Sequence, residues 1–161
     1  LYNIKDMIKV NTNIKVLLVG GGPDLDNLKE LTKKLNLENY VIFTDKIHYD
    51  LVPTYFNIFN VVVSFSKTET QGLTIIEGLA ASKPTLCIED DSFRAMIEPN
   101  YNGYLFKNDT EFKDYIFKLM NDKKLYKDMV TNARNSTYKY SKEVFAADIL
   151  KVYHKAIENK H

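Results

Sequence analysis

The sequence has 161 residues, 45% of them apolar and 27% charged, the composition of an ordinary soluble globular chain, and at about 150 residues per domain the length predicts one compact unit. Lys and Arg number 22 against 21 Asp and Glu, a net charge of +1, which excludes the electrostatic footprint of generic nucleic-acid or anionic-membrane binding. No apolar run approaches the roughly 20 residues of a bilayer span, and the start lacks the apolar centre of a signal peptide. Cys87, the single cysteine, rules out an internal disulfide, and with His48, His154 and His161 it offers no zinc-ligand spacing, so a reducing cytoplasm is expected and no metal site.

Leu1, Ile4, Met7 and Ile8 recur at helical spacing, so the chain opens on an amphipathic helix. A βα fold normally begins with a strand, so at least one strand is expected upstream of Leu1. The first visible strand is 14–19, followed by Gly20, Gly21, Gly22 and Pro23. A glycine turn lets the backbone approach a ligand, and helix amides can hold phosphate. The dinucleotide fingerprint, however, needs glycine where Leu25 stands, and Asp24 and Asp26 would repel an anion. A tight turn with Pro23 at the first helical position accounts for the same residues. Leu25, Leu28, Leu31 and Leu35 then mark a helix, and 40–44 a second strand. His48 fits a loop position, while Tyr49 and Tyr55 stand near a helix start.

The segment 64–84 is the richest in chemistry. A third strand, 60–65, runs into a polar loop of Ser66, Lys67, Thr68, Glu69, Thr70 and Gln71, and Gly72 opens a helix to about residue 82. In open α/β sheets ligands bind outside the carboxyl ends of strands, where this loop belongs. The helix is apolar nearly all round, which predicts burial. Its only ionisable residue is Glu77, and a carboxylate there needs hydrogen-bond donors to offset desolvation. The vicinal hydroxyls of a sugar or ribose suit it, since a carboxylate accepts from two donors at once. Glu69, eight positions earlier, could do the same, and the amides near Gln71, Gly72 and Leu73 form a helix N-terminus able to hold a diphosphate. Pairing of Glu77 with a distant lysine, and Glu69 as a solvated loop charge, remain the alternative.

Strands at 84–88 and 103–106 follow. Between them lie an acidic turn (Glu89, Asp90, Asp91), Arg94 and Glu98, expected to cap and orient a short helix, and an Asn102–Gly103 turn. Two helices close the chain, about 123–138 and 141–158, the second with Ser141 as cap and Glu143 in its first turn. Its stripe of Val144, Phe145, Ile149, Val152, Tyr153 and Ala156 calls for a burying partner. Strands alternating with helical crossovers, several apolar on both faces, give a Rossmann-like, doubly wound parallel α/β sheet.

The stretch ETQGLTIIE (69–77), followed by GLAASKP, resembles the signature of two glutamates separated by seven residues in retaining glycosyltransferases of the GT-B fold, glycosyltransferase family 4. The VGGGPDLDNLKEL turn, the VIFTDKI strand end and SFRAMIEPNYNGYLF are similar to their counterparts there, and TETQGLT resembles bacterial diacylglycerol glucosyltransferases. The resemblance implies that residues 1–161 form the carboxy-terminal, donor-binding domain of a two-domain hexosyltransferase. It implies transfer from a nucleotide diphosphate sugar such as UDP-glucose to a lipid or glycan, with the acceptor domain and first strand upstream. Glu69 would contact the transferred sugar, Glu77 the ribose, and Thr70, Gln71, Gly72 and Leu73 the sugar and phosphates by their amides. Lys46 and Ile47 would meet the nucleobase through the backbone. An Arg and a Lys on the pyrophosphate are expected upstream of Leu1, and no cofactor or metal is implied. The expected setting is cytoplasmic, with peripheral attachment at the inner membrane face if the acceptor is a lipid, and no nucleic-acid partner. Lys83 stands where the family often has glycine, and Glu89, Asp90, Asp91 and Ser92 replace a glycine-rich turn, placing three acids near the diphosphate. A non-catalytic nucleotide-sugar module, or an inactive partner subunit, would carry the same donor-binding residues.

Overall fold

The computed structural model describes residues 1–67 and 71–158. Where length predicts one compact unit, contacts divide the chain into two, Leu1–Tyr55 and Phe56–His161, and each has its own parallel sheet.

In the first unit α1 (Tyr2–Met7) buries Ile4 and Met7, as its stripe predicts. Strand β1 (Val16–Leu18) pairs in parallel with β2 (Val41–Phe43), from Val16 opposite Val41 to Leu18 opposite Phe43. The crossover is α2 (Leu25–Lys34). Pro23 lies in the turn rather than at the first helical position, and Asp24 occupies the N-cap without a side-chain cap bond. A single turn at Tyr49–Leu51 leads into α3 (Val52–Ile58), within which the first unit ends at Tyr55.

In the second unit β3 (Val62–Ser64), β4 (Thr85–Ile88) and β5 (Gly103–Phe106) form a parallel sheet in that order. Central β4 is the most enclosed: Thr85, Leu86 and Cys87 have no exposed surface, as a strand covered on both faces requires. The crossovers are α4 (Leu73–Ala80) and the short α5 (Asp91–Arg94). Ile75 and Leu79 of α4 pack with Cys87, Phe93, Ile97 and Ala133. The expectation that this helix is buried nearly all round needs correction. It rests on β3, β4 and α7 (Lys123–Ser136) through Ile75, Gly78 and Leu79, and the far side, with Leu73 59% exposed, has no layer over it.

Two features had no counterpart in the periodicity. Helix α6 (Asp109–Asn121) starts on Asn108, whose Oδ1 accepts from the amides of Thr110 and Glu111, both at 3.0 Å, while Glu111 accepts from the amide of Lys107 at 2.8 Å. This is close to a capping box. Asn102 is more than a turn residue: it is buried, its Nδ2 donates to Met96 O and Ser136 Oγ at 2.9 Å, and its Oδ1 accepts from the Glu98 amide at 2.8 Å. Beside it, a β-carbon on Gly103 would run into the Thr85 carbonyl oxygen.

The chain closes on α8 (Lys142–Glu158), with Ser141 Oγ accepting from the Val144 amide at 3.3 Å. Its apolar stripe does not find the burial expected of it, and no described residue of α8 is buried. Phe145 is 66% exposed and Tyr153 63%.

Candidate functional site

Parallel pairing aligns the strand ends of the second unit. Ser64 lies opposite Cys87 and Ile88 opposite Phe106, so the segments that follow β3, β4 and β5 emerge along one carboxyl edge. This is the edge at which open α/β sheets bind ligands.

The segment after β3 is anchored at its start by Phe65, whose ring lies 4.8 Å from that of Phe106 and 5.1 Å from that of Phe112. Thr68, Glu69 and Thr70 lie outside the described residues, and with them the sequence assignments to Glu69 and Thr70. The described part resumes at Gln71. Gly72 is the N-cap of α4, at φ 64° and ψ 26°, and as a glycine it supplies no side-chain cap of its own. The first amides held inside the helix are those of Ile75 and Ile76, both on Gly72 O at 3.0 Å, so those of Leu73 and Thr74 are the donors a helix start leaves outward. They carry the positive end of the helix dipole.

Gly72 is fixed by more than its torsion. A β-carbon there would stand 2.6 Å from Met96 Sδ, so the end of the Met96 side chain lies against the start of α4. Nothing in the sequence, where the two residues are 24 apart, signals this contact.

Glu77, on the second turn of α4, is half-buried. Among the described residues no Lys, Arg or His forms an ion pair with its carboxylate and no side-chain hydrogen bond reaches it. The lysine-paired alternative is therefore not what the fold builds. Lys83, where glycine is common in the resembled family, donates to Asn57 O at 3.1 Å and is a local fastener.

The turn after β4 also departs from expectation. Asp90, not Arg94 or Glu98, caps α5: its Oδ1 accepts from the Ser92 amide at 2.9 Å and the Ser92 hydroxyl at 2.6 Å. Those two bonds, the hydroxyl first, hold the Asp90 carboxyl below the usual carboxylate range. Arg94 reaches back instead, Nη2 to Glu89 Oε1 at 2.8 Å and Nε to Asp91 Oδ1 at 3.0 Å. A cleft of about 380 Å³ opens beyond β4 and β5, lined by Glu89, Arg94, Lys107 and Tyr115 among others; neither Glu77 nor the start of α4 borders it.

In the first unit, the glycine turn after β1 and the chain leaving β2 meet. Gly20 N–H donates to Asp45 O at 3.1 Å, and a β-carbon on Gly21 would lie 3.1 Å from Lys46 Cγ. Lys46 is exposed and Ile47 half-buried. His48 Nδ1 faces Asp50 at 3.2 Å, both largely exposed, as befits a loop residue. Among the described residues no group of three or more His, Cys, Asp or Glu could hold a metal ion, and no helix is long and apolar enough to cross a membrane.

Comparison with known proteins agrees with this architecture. The chain is 31% identical over 148 residues to the alpha-monoglucosyldiacylglycerol synthase of Acholeplasma laidlawii, which covers 92% of the chain and 37% of that protein. It therefore spans little more than a third of that relative's length. Among solved structures, a Staphylococcus aureus TarM mutant in complex with fondaparinux, alpha-GlcNAc-glycerol and UDP superposes with a TM-score of 0.85 at 26% identity, over 94% of this chain and 31% of that one. The C-terminal domain of the group 1 glycosyl transferase LpcC from Francisella tularensis gives 0.76 at 25% identity, over 87% of this chain and 76% of that one. The fold is thus that of the Rossmann-like C-terminal domains of GT-B glycosyltransferases. The family model described as Glycosyl transferases group 1 matches residues 3–136, and on that match the chain belongs to the group 1 glycosyl transferases.

Proposed function

We propose that this chain is the donor-binding domain of a retaining hexosyltransferase that takes a sugar from a nucleotide diphosphate, UDP-glucose first among candidates, and passes it to a lipid or glycan. The observation that carries the reading is the start of α4: a helix N-terminus at the carboxyl edge of the sheet, opened by a left-handed glycine that has no side chain to cap it, with a carboxylate on its second turn that forms no ion pair among the described residues. A dipole-bearing set of amides suits a diphosphate, and a half-buried carboxylate so placed suits two hydroxyls. The names of similar proteins, a glucosyl-lipid synthase and a UDP complex, point the same way.

In this reading Glu77 accepts from the ribose hydroxyls, and the amides of Thr70, Gln71, Gly72 and Leu73 face the sugar and phosphates. Glu69 positions the hexose and is not a nucleophile. Lys46 and Ile47, in the first unit, contact the base through their backbone. Attack comes on the face the leaving phosphate departs from, and the charge developing on that phosphate is stabilised by the helix amides. The acceptor, and an Arg and Lys on the pyrophosphate, belong to a preceding segment, so residues 1–161 alone bind donor feebly and transfer nothing. The lipid acceptor, where it applies, brings the enzyme to a cytoplasmic membrane face; the nucleotide sugar is substrate, and the reaction needs no cofactor.

The test is calorimetric titration of the full-length protein with UDP-glucose, comparing wild type with Glu77→Gln. Each charge-assisted hydrogen bond weakened should cost up to about 1.5–3 kcal/mol of binding. Equal affinity of the two proteins removes Glu77 from the site.

A further inference from the structure

The acidic turn after β4 poses a problem for any diphosphate at the start of α4. Ser64 and Cys87 are paired residues on adjacent strands, so the chain leaving β4 at Glu89 emerges beside the chain leaving β3. Met96, which a β-carbon on Gly72 would overlap, brings the end of this turn-and-helix segment onto the start of α4 itself. Three carboxylates, Glu89, Asp90 and Asp91, therefore follow a strand that ends on the same carboxyl edge as a site proposed to take a ligand carrying two or more negative charges. Within a Debye length of about 8–10 Å such charges repel with little screening.

Two of the three are neutralised by one residue. Arg94 Nη2 lies 2.8 Å from Glu89 Oε1 and its Nε 3.0 Å from Asp91 Oδ1, and Lys107, at 3.7 Å, faces the other Glu89 oxygen. Asp90 is turned inward on Ser92 as the cap of α5. Structural duty explains Asp90, and pairing with Glu89, only 25% exposed, explains part of Arg94. The second pair, with Asp91 at 98% exposure, contributes little to stability.

We propose that Arg94 is a positioning residue for the donor, holding Glu89 and Asp91 in a closed ion-pair network that lets a diphosphate approach the start of α4. The inference rests on the donor-site reading above. It assigns Arg94 no contact with the ligand: the guanidinium acts through the two carboxylates it occupies.

The experiment measures UDP affinity of the full-length enzyme by calorimetry at low and high salt, for wild type, Arg94→Gln, Arg94→Lys and the triple variant R94Q/E89Q/D91N, with Glu77→Gln as a site control. Arg94→Gln is expected to weaken UDP binding about 3- to 10-fold at about 20 mM NaCl and less than about 2-fold at about 500 mM, because screening removes the repulsion. Arg94→Lys, which keeps the charge, should recover most of the affinity. The triple variant should bind as wild type does, although it has lost the whole network. A loss that persists at high salt and survives removal of the two carboxylates indicates a packing role and overturns the inference, as does unchanged affinity of Arg94→Gln at both salts. If Glu77→Gln weakens binding while Arg94→Gln does not, only the role of Arg94 falls. If wild type binds no UDP, the donor-site reading and this inference fall together.

Discussion

The two helix starts at the carboxyl edge of the second unit solve the same problem in opposite ways. α4 follows the partly exposed β3 and α5 the enclosed β4, and both helices leave their first amides without intrahelical acceptors. At α5 the protein supplies its own acceptor: Asp90 occupies the Ser92 amide at 2.9 Å, and the carboxyl, drawn below its ordinary range by the Ser92 hydroxyl and amide, closes the helix start to any other anion. At α4 Gly72 offers no side chain, and a carboxylate sits a turn further in, on Glu77. A helix start that the chain caps for itself is structural; one opened by a glycine, with a carboxylate unpaired among the described residues on its next turn, is the one proposed above for the donor.

The largest test of this contrast is Gly72→Ala. It forces a left-handed torsion on an L-residue, which should cost about 1–2 kcal/mol of stability, read as a lower urea midpoint, and the flexible end of Met96 has to move aside for the added methyl group. UDP binding should be lost with it, because the α4 amides shift. A midpoint within error of wild type would show that α4 does not depend on its glycine.

A smaller effect is expected at the capped start. Asp90→Ala should lower Tm slightly at neutral pH and leave UDP affinity unchanged, since its carboxylate serves only α5. The pH dependence has a definite sign. A carboxyl held low in the folded state stabilises above the unfolded carboxyl range, and that contribution disappears as pH falls through the folded value. The Tm gap between wild type and Asp90→Ala should therefore close below about pH 4. A gap that widens in acid would assign Asp90 some other partner.

The smallest effect belongs to α8, where the helix start is capped by Ser141 but no partner covers the face. Phe145→Ser, at a site 66% exposed, should change the unfolding free energy measured in urea by less than about 0.5 kcal/mol, whereas a loss of several times that would mean the stripe is packed in solution.

Helices α7 and α8 show why part of the architecture could not be read from patterning. Both have helical periodicity, and both form. The more polar of the two, α7, buries Met129 and Ala133 completely and packs on α4 and α6. The longer and more apolar α8 buries nothing. Periodicity says that a helix has an apolar face; it does not say that another element stands opposite. Helix α6 is the converse case, a helix that the periodicity did not mark, with its start held by Asn108 and Glu111. At the site, Gly72, Leu73 and Glu77 were legible because the signature is local. The contact of Met96 with Gly72 and the reach of Arg94 to Glu89 and Asp91 were not, because nothing in a linear pattern sets distances between loops.

The sequence by itself determined the five strands, their alternation with helices and the placing of a glycine and a carboxylate at one helix start, because each follows from short-range rules of period, torsion and capping. Tertiary structure decided what no local rule contains: the division into two units, the burial of Asn102 between Met96 and Ser136, the bare face of α8 and the neutralised acids after β4. Each depends on which groups, distant along the chain, the parallel sheet brings within a few ångströms.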